Sequence, residues 1–257
     1  MTNAMTTKTR DTTIFAKLAA LLLVGLMMIG TAAASEEAGL EAANVRLDDV
    51  ASMKRGARLF FNYCSGCHSL EYLRYSRLAE DLKLDPKDVE KNLVFNGARI
   101  GDHAISHMPA DKAATWFGKA PPDLSLEARA RGSDWIYNYL KSFYLDPSRP
   151  LGWNNNVFEN ASMPNVLWEL QGLQVAEQVP AEAGHDATIG KLELKTPGQQ
   201  TPAQFDQTVR DLTAFLQYAG EPAALQRESM GIWVLLYLAF FTLIAYLLKL
   251  EFWKDVH

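Results

Sequence analysis

Hydrophobic and polar positions divide the chain into two long apolar runs and an amphipathic middle. The first run, Leu18 to Gly30, follows Lys8, Arg10 and Lys17 and gives way to Ala32-Ala33-Ala34 and then Ser35-Glu36-Glu37. A basic lead, an apolar stretch and small residues at an A-x-A site predict a secretory signal peptide over residues 1–34, cleaved after Ala34. An uncleaved anchor is the alternative, because the uncharged run is nearly long enough to span a bilayer. The second run, Met230 to Leu248, is 19 residues without a charge. At 1.5 Å per residue it reaches roughly 28 Å, close to the hydrocarbon thickness of a membrane. Trp233, Tyr246 and Trp253 lie toward its ends, and Lys249 and Lys254 follow it. This predicts a transmembrane helix over 230–248 and a cytoplasmic tail over 249–257, with residues 35–229 on the outer side.

Between the runs the apolar spacing is mostly helical. Val50, Met53, Ala57, Phe60 and Phe61 recur at three and four residues, predicting a helix from Asp48 to Tyr63. Leu70 to Leu82 predicts a second helix, and Asp85-Pro86 a capped start to a third. Residues 96–119 read as loop, with Gly97, Gly101, Pro109 and Gly118. Ala120-Pro121-Pro122-Asp123-Leu124-Ser125 reads as extended, then turns into a helix that Asp123 is placed to cap. Ser133 to Tyr144 predicts an aromatic-rich helix stopped by Pro147 and Pro150, and Leu151 to Met163 a polar, turn-rich stretch. Gly190 to Gly198 alternates as a short strand. Pro202 to Tyr218 is a helix with Phe205, Val209, Leu212 and Leu216 on one face, and Asp206 and Arg210 pair on its outer side.

Charge narrows the partners. The chain has 25 basic and 30 acidic residues; losing the three basic and one acidic residue of the first 34 leaves a net charge near −7. Such a field disfavours nucleic acid and speeds encounter with a basic partner.

The chain has two cysteines, both in Cys64-Ser65-Gly66-Cys67-His68. In an exported protein C-x-x-C-H is a covalent c-type haem attachment site: the two thiols, about one helical turn apart, form thioethers and the histidine ligates the iron. A redox pair needs no histidine and belongs with a βαβ pattern absent here. A zinc site needs more ligands, and no third cysteine exists. The expected cofactor is therefore one covalently bound haem c, with no cysteine left over for a structural disulfide. A haem motif directly after an N-terminal amphipathic helix predicts a mainly α, class I cytochrome c-like haem domain with long loops and a little β, plus the C-terminal membrane helix.

His68 leaves one iron position. Apart from the methionines of the leader, Met53 on the preceding helix and Met230 at the membrane, two candidates remain, Met108 and Met163, each followed by proline. His103, His107 and His185 are chemically possible as well. Residue chemistry leaves this choice open.

Three stretches then carry a resemblance: Tyr63 to Tyr72 around the haem motif, Ala120-Pro-Pro-Asp-Leu-Ser125 with Arg129-Ala-Arg131, and Ser162-Met-Pro-Asn-Val-Leu-Trp-Glu-Leu-Gln-Gly172. With the C-terminal helix and basic tail, these resemble the cytochrome c1 family, the haem subunits of cytochrome bc1 complexes, from about Ala42 to the end. The resemblance implies that Met163 is the axial methionine. It further implies that Arg131, rather than Arg129, pairs with a haem propionate and that Pro122 and Trp135 line the pocket. It also implies that a carbonyl of Pro121-Pro122 orients His68. The extra cysteine pair of some relatives is absent. The implied function is electron transfer from a Rieske iron–sulfur protein to a cytochrome c, beside cytochrome b, in a dimeric complex of the bacterial inner membrane with the haem domain in the periplasm. No catalytic residue is implied, and the chain is not an enzyme on its own. The alternatives are a membrane-anchored c-type cytochrome of another respiratory chain, as shuttle or oxidase subunit, and a haem enzyme or gas sensor with an open sixth site.

Overall fold

The structure, a computed structural model, describes residues 39–179 and 188–255. The predicted signal peptide and His185 lie outside the described residues. In chain order the elements are α1 (Val50–Tyr63), β1 (Leu70–Arg74), α2 (Tyr75–Asp81), α3 (Pro86–Asn92), β2 (His103–Ala104), α4 (Ala110–Phe117), α5 (Glu127–Arg131) and α6 (Ser133–Lys141). Then come β3 (Phe143–Leu145), β4 (Trp153–Asn155), α7 (Trp168–Gln171), β5 (Gly172–Val179), β6 (Thr188–Pro197), α8 (Pro202–Gly220) and α9 (Ala224–Phe252). The fold is mainly α, and its strands form three antiparallel pairs among the described residues: β1–β2, β3–β4 and β5–β6.

The core is built on α1 and α8. Asp49 caps α1 by accepting from the Ser52 amide at 2.9 Å, and Thr201 with Gln204 forms a capping box ahead of Pro202 on α8. The periodic apolar residues of both helices are buried, and Phe60, Phe61, Tyr75, Phe215 and Tyr218 meet as a run of aromatic contacts between them. Gly56 is where the helices approach most closely. A Cβ there would lie 1.9 Å from the Asp211 carbonyl oxygen. The Asp211 side chain, 3% exposed, accepts from Ser52 Oγ and Arg55 Nε, both at 2.6 Å, and from Gln207 at 2.9 Å. A buried carboxylate is tolerated when its lone pairs are filled in this way.

A second ionic cluster ties the start of the domain to α6 and α8. Tyr137 donates to Asp206; Lys141 Nζ binds Asp206 at 2.7 Å and Glu41 at 2.9 Å, and Arg210 Nε binds Asp206 at 2.8 Å. Lys141 and Arg210 also stand over the Tyr137 ring, 4.2 and 4.6 Å from its centre. Burial alone would raise the Asp206 pKa, but hydrogen bonds from Lys141, Tyr137 and Arg210 outweigh it and bring the group down to about 2. A depressed carboxylate contributes stability that is complete above its unfolded value and is lost as pH falls through its folded value. Asp206→Asn is therefore expected to lower stability by about 1–2 kcal/mol at pH 7, with the gap closing between about pH 5 and pH 2. Denaturant titrations of the two proteins at those pH values check this; a gap independent of pH would contradict it.

Several sequence expectations are corrected. Leu70–Leu82 is not one helix, because its first five residues form β1 against β2 and only Tyr75–Asp81 is helical. Residues 96–119 contain β2 and the helix α4, whose end is set by Gly118 at φ 77°. The aromatic helix stops at Lys141; Phe143–Leu145 leaves it as β3 and pairs with β4 inside the stretch read as turn-rich. The Gly190–Gly198 strand is β6, and its partner β5 begins at Gly172 (φ 99°), where a side chain would strike the Thr196 carbonyl at 2.2 Å. Asp206 and Arg210 do pair, but within the partly buried cluster described above rather than as a simple surface pair. The last helix runs from Ala224 to Phe252 and contains the predicted apolar run, in a stretch of membrane-spanning length and hydropathy from Met230 to Phe252. These 23 residues reach about 35 Å, and apolar side chains such as Trp233, Leu235 and Phe240 stay exposed along them, as a lipid-facing helix requires.

Candidate functional site

The site begins where α1 ends. The amides of Cys64 and Ser65 donate to the Phe60 carbonyl, and those of Cys67 and His68 fold back to the Cys64 carbonyl at 3.0 and 2.9 Å. The chain thus makes a tight extra turn that keeps both thiols and the imidazole together. Ser65 Oγ donates to the Phe61 carbonyl at 2.7 Å, and Ser106 Oγ donates to the Gly66 carbonyl at 2.9 Å, fixing the turn from both sides. Gly66 faces open space.

Both thiols are free. Burial, and then the neighbouring Cys67, pushes the Cys64 thiol up to about 12, and burial raises Cys67 as well. A reactive dithiol needs the opposite shift, toward thiolate.

His68 Nδ1 lies 2.8 Å from the Pro122 carbonyl oxygen. A carbonyl only accepts, so the proton sits on Nδ1 and the Nε2 lone pair is left free, the tautomer a metal-bound histidine uses. Burial lowers the His68 pKa, opposed by the Pro122 bond and by Asp123 and Glu127, so the neutral ring is favoured. Pro121 and Pro122 hold the segment extended. Leu124 donates to the Ser69 carbonyl at 2.9 Å, so this segment runs alongside the residues that follow His68. Asp123 does not cap the next helix. Its carboxylate accepts from the amides of Glu71 and Ser125, both at 2.8 Å, and α5 starts at Glu127 without a side-chain cap.

Of the other predicted residues, Arg131 and Trp135 are brought together. The Arg131 guanidinium stands 4.4 Å from the centre of the Trp135 ring and 5.5 Å from that of Phe158, with Glu127 at 3.5 Å. Trp135 also stacks on Tyr139 at 4.9 Å. Arg129 instead points to Glu221, 3.7 Å away. Phe158 was not legible in the sequence: it lies in a turn-rich stretch with no periodic signal.

The two methionines part company. Met163 is half-buried and packs on the main hydrophobic core. Its segment is anchored by the buried Asn165, which donates to Gln171 Oε1 at 2.9 Å, and Gln171 in turn reaches the Lys141 carbonyl. Met108 lines a cavity of about 400 Å³ beside Ser65 and Gly66, with Phe95, Ile105, His107 and Trp116. Two thiols on one turn and an imidazole with a free Nε2 fit a covalently held haem with a histidine ligand.

Compared with known proteins, residues 44–256 match the model of the Cytochrome C1 family. The chain is 50% identical over 240 residues to a cytochrome c1 of Allochromatium vinosum, covering 92% of this chain and 98% of that protein. It is 40% identical over 222 residues to a Nitrosomonas europaea protein named ammonia monooxygenase gamma subunit, covering 86% and 91%. To a cytochrome c1 of Rhodospirillum rubrum it is 29% identical over 228 residues, covering 81% and 83%.

Proposed function

The chain belongs to the cytochrome c1 family, a family of haem-bearing electron-transfer subunits, and from that premise we propose that it passes one electron from a Rieske iron–sulfur protein to a cytochrome c within a quinol–cytochrome c reductase. Its partners there are cytochrome b and the Rieske subunit, in a dimeric complex. The haem domain, residues 35–229, lies in the periplasm after removal of residues 1–34; residues 230–248 cross the inner membrane and 249–257 reach the cytoplasm.

Haem c, when bound, supplies a one-electron iron couple. The chain's own residues do the rest. Cys64 and Cys67 hold the group covalently, so repeated turnover does not release it. His68, its Nδ1 held by the Pro122 carbonyl, would have Nε2 free to ligate the iron. Met163 would supply a further iron ligand, and a thioether there would raise the potential and shut out exogenous ligands. Arg131, stacked on Trp135, would be the cation for a propionate, by the family resemblance and its place against that ring rather than by lack of a carboxylate partner, since it lies 3.5 Å from Glu127 as Arg129 lies 3.7 Å from Glu221. The observation that carries this reading is the His68–Pro122 contact at the end of α1, in a chain with one apolar helix of membrane-spanning length among its described residues.

Solubilised membranes test it. The protein is expected to co-purify with a b-type cytochrome and an iron–sulfur subunit, and its haem to be reduced by quinol only when both are present. Purification free of both, with quinol-independent reduction, points to another respiratory chain and defeats the proposal. Carbon monoxide binding by the reduced protein at neutral pH would favour the open-site reading instead.

A further inference from the structure

The Pro122 carbonyl orients His68, but nothing in two prolines fixes where that carbonyl points along the chain. The segment that carries it is held by two side chains. Asp123 reaches across to β1 with one carboxylate oxygen, 2.8 Å from the Glu71 amide, and turns back with the other, 2.8 Å from the Ser125 amide. Ser125, 1% exposed, accepts from the Tyr72 amide on its Oγ at 3.1 Å. One backbone bond, from Leu124 to the Ser69 carbonyl, lies between them. Glu71 and Tyr72 stand three and four residues beyond His68, so the same short piece of chain that carries the imidazole is clamped to the piece that carries its acceptor.

From this geometry we infer that Asp123 and Ser125 are positioning residues for His68: they pin the Pro122 carbonyl on Nδ1 and thereby set the basicity of the axial imidazole. The inference rests on the reading of His68 as an iron ligand. A carbonyl held on Nδ1–H makes the ring a stronger donor and favours ferric iron, so loosening the clamp shifts the couple toward ferrous. Removing the Asp123 charge pushes in the same direction by simple electrostatics. Asparagine and alanine lose that charge equally. Asparagine keeps one acceptor oxygen and hence one of the two bonds; alanine keeps neither. Ser125→Ala removes a clamp bond with no change of charge.

The test uses the full membrane-anchored, haem-loaded protein. The ferric-to-ferrous ratio is read at one fixed solution potential, together with amide hydrogen exchange at Glu71, Tyr72 and Ser125. Asp123→Ala is expected to shift the ratio about tenfold toward ferrous, at the low end for an outer-shell change. Asp123→Asn is expected to shift it less, and Ser125→Ala in the same direction by about threefold. Protection is lost at Glu71 and Ser125 in the alanine variant, and at Tyr72 in Ser125→Ala. If Asp123→Ala does not retain haem, the other two variants decide. Equal shifts in Asn and Ala, with Ser125→Ala at the wild-type ratio, leave only a charge effect and overturn the clamp while the haem reading stands. If His68→Ala keeps the wild-type low-spin spectrum, the ligand reading fails and the clamp falls with it.

Discussion

In the haem-loaded protein, Met163→Leu is expected to abolish the far-red methionine–iron absorption band, and Met108→Leu to leave it unchanged. Leucine nearly conserves the volume of methionine, so either substitution costs less than about 1.5 kcal/mol in packing. Only the thioether is removed. The cysteine attachment keeps the haem in place, so the effect reads at the iron rather than as loss of cofactor. With Met163 gone the sixth position opens, the ferrous form binds carbon monoxide at neutral pH, and the potential falls. Structure gives the comparison its edge. Met108 stands beside the attachment turn in an open cavity, and proximity to Gly66 alone would choose it. Met163 is on the core side, on a segment braced by Asn165 and Gln171. A methionine ligand would need a fixed segment, and the Asn165 and Gln171 hydrogen bonds give the Met163 segment that support. Survival of the band in Met163→Leu, with loss in Met108→Leu, would reverse the assignment.

Gly56→Ala is expected to be the most damaging small substitution in the domain. The new Cβ would meet the Asp211 carbonyl oxygen at 1.9 Å and the Phe215 Cβ at 2.7 Å. The first is backbone on a facing helix and cannot swing aside, so α1 and α8 must part by about 1 Å or more. That movement stretches the Ser52 and Arg55 bonds to the buried Asp211 and opens the aromatic contacts below them. Alanine recovers up to about 1 kcal/mol of helix propensity. The net cost is about 3 kcal/mol, a fall of roughly 6–12 °C in melting temperature for a domain of this size. Gly101→Ala, where a side chain meets nothing within 4 Å, is the control and is expected within about 0.5 kcal/mol of wild type. Helix melting followed by circular dichroism distinguishes the two. A Gly56→Ala protein as stable as the control would show that the helices separate freely.

Where sequence reading was right, the signal was local. α1 and α8 are long and strongly periodic and were placed within a few residues, and the C-terminal apolar run is helical as its composition predicts. Where it erred, a distant partner had intervened. Leu70–Arg74 has helical spacing, yet the amides of Glu71 and Tyr72 are taken by Asp123 and Ser125, more than fifty residues on, and the segment becomes a strand. The same pairing removes Asp123 from the cap position its neighbours predicted. β3 and β4 lie in stretches with little alternation of their own and exist because they face each other.

By itself the sequence carried the haem-attachment motif, its histidine and an apolar run of membrane-spanning length, because each depends on residue type at short spacing: two thiols and an imidazole within five positions, or nineteen uncharged residues in a row. It also held the motifs by which the family is known. Tertiary structure alone decided which carbonyl of the proline segment meets His68, that Arg131 lies over Trp135 while Arg129 lies beside Glu221, and what ties Asp123 and Ser125 to β1. Those are contacts between segments far apart in sequence. Their energy depends on where folding brings two groups together, and no local pattern of apolar and polar residues records that.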